Sequence, residues 1–341
     1  MKKWLIGVLL ALVVVALIGW QCYRLVYVNN LQGQPGETHV ITVPTGSDYN
    51  QLLDKLADGH LINSESFRSL AAVMSLDEHI NPGRYVFTNP ASNYELVWAL
   101  RSGRQTPVKL TTRKARSKEE VAGWISQKLE ADSLSILQLL NDEQKLGALG
   151  LNSTNVLSIF IPNTFEFYWN TSADKFLERM KKEYDAFWTE TRLNQAKAKG
   201  LTPLQVIVLA SIVEEESEIK AERPVIAGLY INRLETNMKL QADPTVKFAT
   251  QNFGARRVLY TDLEYNSPYN TYVYIGLPPG PICTPSINAI DAVLNAESHD
   301  YLYMCAKPNN EIGHVFAKTN AQHIENARKY RKWLNQRGIY R

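Results

Sequence analysis

The 341-residue chain has only three cysteines, Cys22, Cys283 and Cys305. Three do not make a disulfide framework; Cys283 and Cys305 can pair in an oxidising compartment, but nothing in the sequence says that they do, and buried free thiols are the expectation. A large charge of one sign is also missing: 37 Lys and Arg face 34 Asp and Glu, a net charge of +3. With no block of basic residues either, no nucleic-acid partner is expected. The chain has no Walker A sequence, no G-x-G-x-x-G, no H-E-x-x-H and no paired C-x-x-C. His314 and His323 stand too far apart, on different elements, to look like a metal pair. No metal and no cofactor is therefore expected. Internal repeats and low-complexity tracts are absent. At 45% hydrophobic and 10% aromatic residues the chain reads as globular rather than disordered, with length for two or three domains.

One long hydrophobic run is present, "WLIGVLLALVVVALIGW", from Trp4 to Trp20, without a charge. At about 1.5 Å per residue it is just long enough to cross a bilayer. Lys2 and Lys3 in front of it predict a cytoplasmic N-terminus. Gly19-Trp20-Gln21 is a poor cleavage site, and Cys22 lacks the small residues that precede a lipoprotein cysteine. Residues 1–28 therefore read as a cytoplasmic tip and transmembrane anchor of the inner membrane, with the bulk of the chain outside the cytoplasm. "NNLQGQPGE", 29–37, reads as a linker.

The rest predicts an α+β fold. Over 38–112 a strand ("THVITVPTG"), two short helices, a second strand ("INPGRYVFT"), a helix stopped at Gly103 and a third strand form a small unit. Residues 113–341 form a larger mixed domain with several helices. "YLYMCA" and "HVFAK" flank "KPNNEIG" as a hairpin, and a last helix starts at Thr319 with Gln322 in capping-box spacing.

One helix start is sharp: Thr202 at N-cap, Pro203 at N1, Gln205 at N3. It leads through apolar residues into "SIVEEESE", 211–218, with Glu214, Glu215, Glu216 and Glu218. Residues are placed at about 100° each, with Gln205 at zero. Val208, Leu209, Ile212, Val213 and Ile219 then fall from roughly 300° through zero to 80°. Ser211, Glu214, Glu215, Glu218 and Glu222 fall at roughly 180° to 280°, a face expected to be solvated. Glu216 lands at roughly 20°, inside the apolar arc. A carboxyl held against apolar side chains loses water, so its pKa rises, which is how a general acid stays protonated near neutral pH. The plain structural alternative is that Glu216 pairs with a buried Arg233. Downstream, "LQADPT", "SPYNTY" and "GLPPGPI" read as loops that present side chains. Gln241, Asp243, Asn270 and Thr271 can bond hydroxyls and amides; Tyr269, Tyr272 and Tyr274 can stack on sugars.

"ASIVEEES", "YINRL", "LQADPTV", "SPYNTY" and "GLPPGPI" occur in the order found in the endolytic murein transglycosylases, the MltG/YceG-like family, which this chain resembles over most of its length. "IPNTFEFYW" and "GHVFAKTNAQH" extend the resemblance. Asn163 stands where the family usually has Asp, and "CTPS" at 283–286 departs from its usual turn. The resemblance implies a LysM-like domain at 38–112 and a YceG-like catalytic domain at 113–341. It maps the catalytic acid onto Glu216, and substrate-binding roles onto Asn232, Arg233, Gln241, Asp243, Thr245, Asn270, Thr271 and Tyr272. The implied reaction is cleavage of the MurNAc-β-1,4-GlcNAc bond in nascent peptidoglycan with 1,6-anhydro-MurNAc formation, which limits strand length. Partners implied by analogy are penicillin-binding proteins of the wall-synthesis complex. Two other readings stay open: a hydrolytic muramidase helped by Asp243, and a catalytically silent peptidoglycan-binding scaffold.

Overall fold

Helix α1 (Lys2–Tyr27) contains the long apolar run, with mean hydropathy 2.5 over Trp4–Tyr27 and none of that window buried. It is consistent with a single-pass membrane anchor, because an exposed apolar surface of this length is favoured in lipid over water. The computed structural model describes residues 2–254, 258–309 and 311–337. Met1 and the side chains of Lys2 and Lys3, on which the expected orientation rests, lie outside the described residues. So do Asn310 in the expected hairpin and 338–341 at the end of the chain.

The chain divides into two compact units. The first gathers Met1–Leu110, Ser126–Ala131 and Phe165–Ser172. In it, β1 (Thr38–Val43) pairs antiparallel with β2 (Gly83–Thr88), with Ile41 opposite Tyr85. Between these strands run α2 (Tyr49–Ala57) and α3 (Ser64–Val73), and α4 (Asn93–Ser102) follows. Capping boxes at Asp48 with Gln51 and at Ser92 with Glu95 start α2 and α4. Each satisfies two helix-end N–H groups that would otherwise lack partners. Strand alternation turns Ile41, Val43, Tyr85 and Phe87 inward onto Leu52, Leu56, Phe67 and Leu96. Residues 29–37, expected as a linker, are partly tied into this unit. Asn29 bridges Ser92, Leu31 bridges Leu61, and Leu31 is fully buried.

The second unit gathers Thr111–Ile125, Asp132–Thr164 and Ala173–Arg341. The remaining elements are β3 (Val108–Thr111), α5 (Lys118–Ser126), α6 (Ser133–Leu139), α7 (Glu143–Ala148), β4 (Thr164–Phe167) and α8 (Ala173–Phe187). After them come α9 (Glu190–Ala198), α10 (Pro203–Glu216), α11 (Arg223–Glu235), α12 (Asp243–Ala249), α13 (Tyr260–Leu263) and α14 (Ile287–Leu294). β5 (Tyr303–Ala306), β6 (His314–Ala317) and α15 (Asn320–Gln336) complete the chain. The expected hairpin is present as antiparallel β5 and β6, and Thr319 with Gln322 caps α15.

α10 is the axis of this unit. Its capping box at Thr202 and Gln205 and its Pro203 start are as the sequence predicts. Every residue from Val206 to Val213 is buried, so the helix is apolar all round rather than along one stripe. It ends at Glu216, and Ser217 is extended at φ −143. The angular placement of Ile219 and Glu222 therefore does not hold: Ile219 lies beyond the helix and Glu222 in a 3-10 turn.

Candidate active site

Because α10 stops at Glu216, four acids that are adjacent in sequence meet different neighbours. Glu214 pairs with the buried Arg223 at 3.1 Å and accepts from the Ser286 main-chain N–H at 3.2 Å and from the Ser286 hydroxyl. Glu215 meets Lys114 at 2.6 Å and Arg116 at 3.0 Å. Burial pushes the Glu215 carboxyl up, but the hydrogen bonds from Arg116 and Lys114 outweigh it and hold it below the usual carboxylate range. Glu214 and Glu215 are thus ion-paired groups packed under the protein surface, not members of a solvated face. Of the four, Glu218 alone is exposed.

Glu216 has no cation within ion-pair distance among the described residues. Its Oε1 accepts a hydrogen bond from Tyr230 at 2.8 Å. Tyr230 lies on α11 and is 1% exposed. Burial pushes the Glu216 carboxyl up to about 7; the Tyr230 hydroxyl opposes the shift, and the negative charge of Asp243 adds to it. The same burial, reinforced by Glu216, holds the Tyr230 phenol far above its ordinary range, so it remains a donor. A carboxyl balanced near neutrality beside a fixed neutral donor can give up and take back a proton.

Arg233 is not the ion-pair partner of Glu216. Its Nε donates to Leu302 O at 2.6 Å and its Nη1 to Leu240 O at 2.7 Å. It lowers Glu216 only through its more distant charge. Asn232 likewise donates to His299 O at 2.6 Å and Tyr301 O at 3.1 Å. Thr245 and Thr271 are buried and share a 2.8 Å hydroxyl contact, and Thr271 Oγ1 accepts from the Ala242 N–H at 3.0 Å. Asn270 is fully buried and donates to Leu263 O at 3.0 Å and Tyr265 O at 2.9 Å. In this geometry each of these five side chains is hydrogen-bonded to the scaffold. The structure turns the other three outward or toward Glu216. Gln241 is exposed at φ 48, Asp243 is exposed at the start of α12, and Tyr272 donates to Asp243 Oδ1 at 2.6 Å.

"GLPPGPI" does not present side chains as a free loop does. Pro278, Gly280, Pro281 and Ile282 are buried, and the Ile282 N–H donates to Ser211 Oγ at 3.0 Å. The "CTPS" turn has a holding role too. Thr284 exchanges hydrogen bonds with Ala115 at 2.8 Å, and Ser286 reaches Glu214. Cys283 and Cys305 are free, with Cys283 buried.

A cleft of about 550 Å³ opens beside Glu216. Its other wall is built by Lys307 and His314 of the hairpin and by Tyr330 and Trp333 of α15. Sequence reasoning missed this wall. The one signal for it in the sequence is "GHVFAKTNAQH", which contains His314.

The model of the YceG-like family matches residues 41–329. An endolytic murein transglycosylase of Bacillus subtilis (strain 168) is 28% identical over 325 residues, covering 87% of this chain and 86% of the relative. One of Streptococcus pneumoniae serotype 2 is 34% identical over 137 residues, 39% of this chain and 24% of the relative. The crystal structure of a yceG-like protein from Listeria monocytogenes matches with a TM-score of 0.57 and 26% identity, covering 85% of this chain and 98% of the other. With a family model spanning most of its length, and Glu216, Tyr230 and Asp243 inside the matched segment, this chain belongs to the YceG-like family.

Proposed function

We propose that this chain is a membrane-anchored endolytic lytic transglycosylase. It cleaves the MurNAc-β-1,4-GlcNAc bond within nascent peptidoglycan strands, leaves a 1,6-anhydro-MurNAc end and so limits strand length. The observation that carries the proposal is the isolation of Glu216: a carboxyl raised to about 7, bonded to a neutral phenol, next to two acids that are already paired with cations. Relatives named for murein transglycosylation support the substrate class.

The reaction needs one such group. Protonated Glu216 gives its proton to the glycosidic oxygen, and the bond from the muramoyl C1 to that oxygen breaks. The resulting carboxylate takes the proton of the muramoyl C6 hydroxyl as the C6 oxygen closes on C1. Glu216 ends protonated, and no water is consumed. A hydrolase would need a second carboxylate placed to activate water or to attack. The nearest candidate, Asp243, is hydrogen-bonded to Tyr272.

The β-α-α-β arrangement of the first unit supports reading 38–112 as LysM-like, a second hold on glycan. On the same reading the N-terminus is cytoplasmic, the anchor lies in the inner membrane and the bulk is periplasmic. Penicillin-binding proteins are then partners by analogy. Mass spectrometry of digested uncross-linked strands tests the proposal. Anhydro ends that vanish with Glu216→Gln are expected. Reducing ends would make the protein a muramidase, and strand binding without cleavage a silent scaffold.

A further inference from the structure

The hairpin wall of the cleft holds an imidazole in an unusually fixed state. His314 Nδ1 meets Glu222 Oε2 at 3.0 Å, and the His314 main-chain N–H donates to Glu222 Oε1 at 2.8 Å. Ser217, the residue after Glu216, directs its hydroxyl to the same carboxylate at 3.4 Å. The pair is largely enclosed, with 20% of the His314 side chain and 15% of the Glu222 side chain exposed. Gly313 makes the approach possible. It sits at φ +109, and a Cβ there would lie 2.2 Å from Glu222 Oε1.

In the neutral imidazole, a carboxylate on Nδ1 keeps the proton on that nitrogen and leaves Nε2 with a free lone pair. Among the described residues no hydrogen bond reaches His314 Nε2. The ring lines the same cleft as Glu216. A bridge that served only to fasten the hairpin would need neither a lone pair nor a place on the cleft wall.

We infer that His314, its tautomer set by Glu222, is a substrate-contacting residue whose Nε2 accepts a hydrogen bond from a glycan hydroxyl or acetamido N–H. Glu222 is a positioning residue that acts through it. The inference rests on the glycan reading above and adds a contact on the wall opposite Glu216.

The test uses the full chain in detergent micelles with ¹⁵N-labelled histidine, in the Glu216→Gln background so that added strands stay intact. His314→Gln assigns the signal among the six histidines. Nδ1 is expected protonated and Nε2 pyridine-like, with the two tautomers mixed in Glu222→Gln. Soluble uncross-linked glycan strands are expected to shift Nε2, and to shift it less in Glu222→Gln. With Glu216 restored, His314→Gln and Glu222→Gln should each raise KM about tenfold, the worth of one good hydrogen bond, with a smaller change in kcat. An Nε2 signal indifferent to glycan overturns the inference, as does an unchanged KM in His314→Gln. If His314→Gln fails to fold, the signal whose tautomers mix in Glu222→Gln identifies His314, and its response to glycan decides. If the native chain leaves strands uncut, the transglycosylase reading falls while the Nε2 titration still judges His314.

Discussion

Glu216 Oε1 accepts a hydrogen bond from the Tyr230 hydroxyl at 2.8 Å, across the gap between the last residue of α10 and the middle of α11. The donor is neutral and buried, so it orients the carboxyl without locking it as a carboxylate. That separates Glu216 from Glu214 and Glu215, which have guanidinium or ammonium partners.

Replacing Glu216 with Gln keeps the shape and removes the proton. Strand cleavage should fall by roughly a hundredfold to ten-thousandfold, the usual contribution of a general acid–base. Counting anhydro ends by mass spectrometry checks this, with circular dichroism to show that the fold is kept.

Cleavage should depend on protonated Glu216 and so decline as pH rises through about 7. The Tyr230 hydrogen bond lowers that carboxyl, so Tyr230→Phe should move the alkaline limb to higher pH. A pH–rate profile of both proteins decides; a limb that stays in place would show that another group controls it.

The same group should also mark stability. The Glu216 pKa is raised on folding, so the protonated form is favoured in the native state. Its contribution is fully present below the ordinary glutamate range and is lost as pH rises through about 7, where a buried charge must form. Glu216→Gln should therefore melt above the native protein at pH ~8, by on the order of 1–3 kcal/mol, and the gap should narrow at pH ~5. Thermal melts at the two pH values test the sign.

Arg223 is buried against Glu214, Ser286 and Asn288. Arg223→Met should cost about 3–5 kcal/mol, because it leaves the Glu214 charge unpaired under the surface. Lys114→Ala should cost below about 1 kcal/mol, since Lys114 is substantially exposed and Arg116 remains on Glu215. Urea unfolding would rank the two.

The exposed and scaffold residues should separate kinetically. Thr271→Val leaves the Ala242 N–H without its acceptor and should cost about 1–3 kcal/mol of stability with little change in KM. Gln241→Ala, at an exposed position, should raise KM with stability nearly unchanged. The reverse pattern would return Thr271 to the binding surface.

Much of this was legible in the chain. The anchor, the capped start of α10 at Thr202, the β5–β6 hairpin and the odd standing of Glu216 all follow from local pattern. Helical phase singled out Glu216 by an apolar stripe, yet α10 is buried on all sides, so the stripe is not what distinguishes it. Phase also assigned a solvated face to Glu214 and Glu215, because a wheel cannot see Arg223, Lys114 or Arg116 arriving from other parts of the chain. Asn232, Arg233 and Asn270 look like ligand-binding residues in a linear motif. Their donors are spent on backbone carbonyls, a use set by where distant segments pass.

The sequence by itself determined the family, the α+β class, the apolar N-terminal helix and which glutamate to examine, because capping, periodicity and motif order are local properties. Only the tertiary structure decided which acids are neutralised, that Tyr230 holds Glu216, and that His314, held by Glu222, stands on the wall of its cleft. Those contacts join residues far apart in the chain, such as Arg116 and Glu215, 99 positions apart. Desolvation and ion pairing depend on what surrounds a group in space, not on its neighbours along the chain.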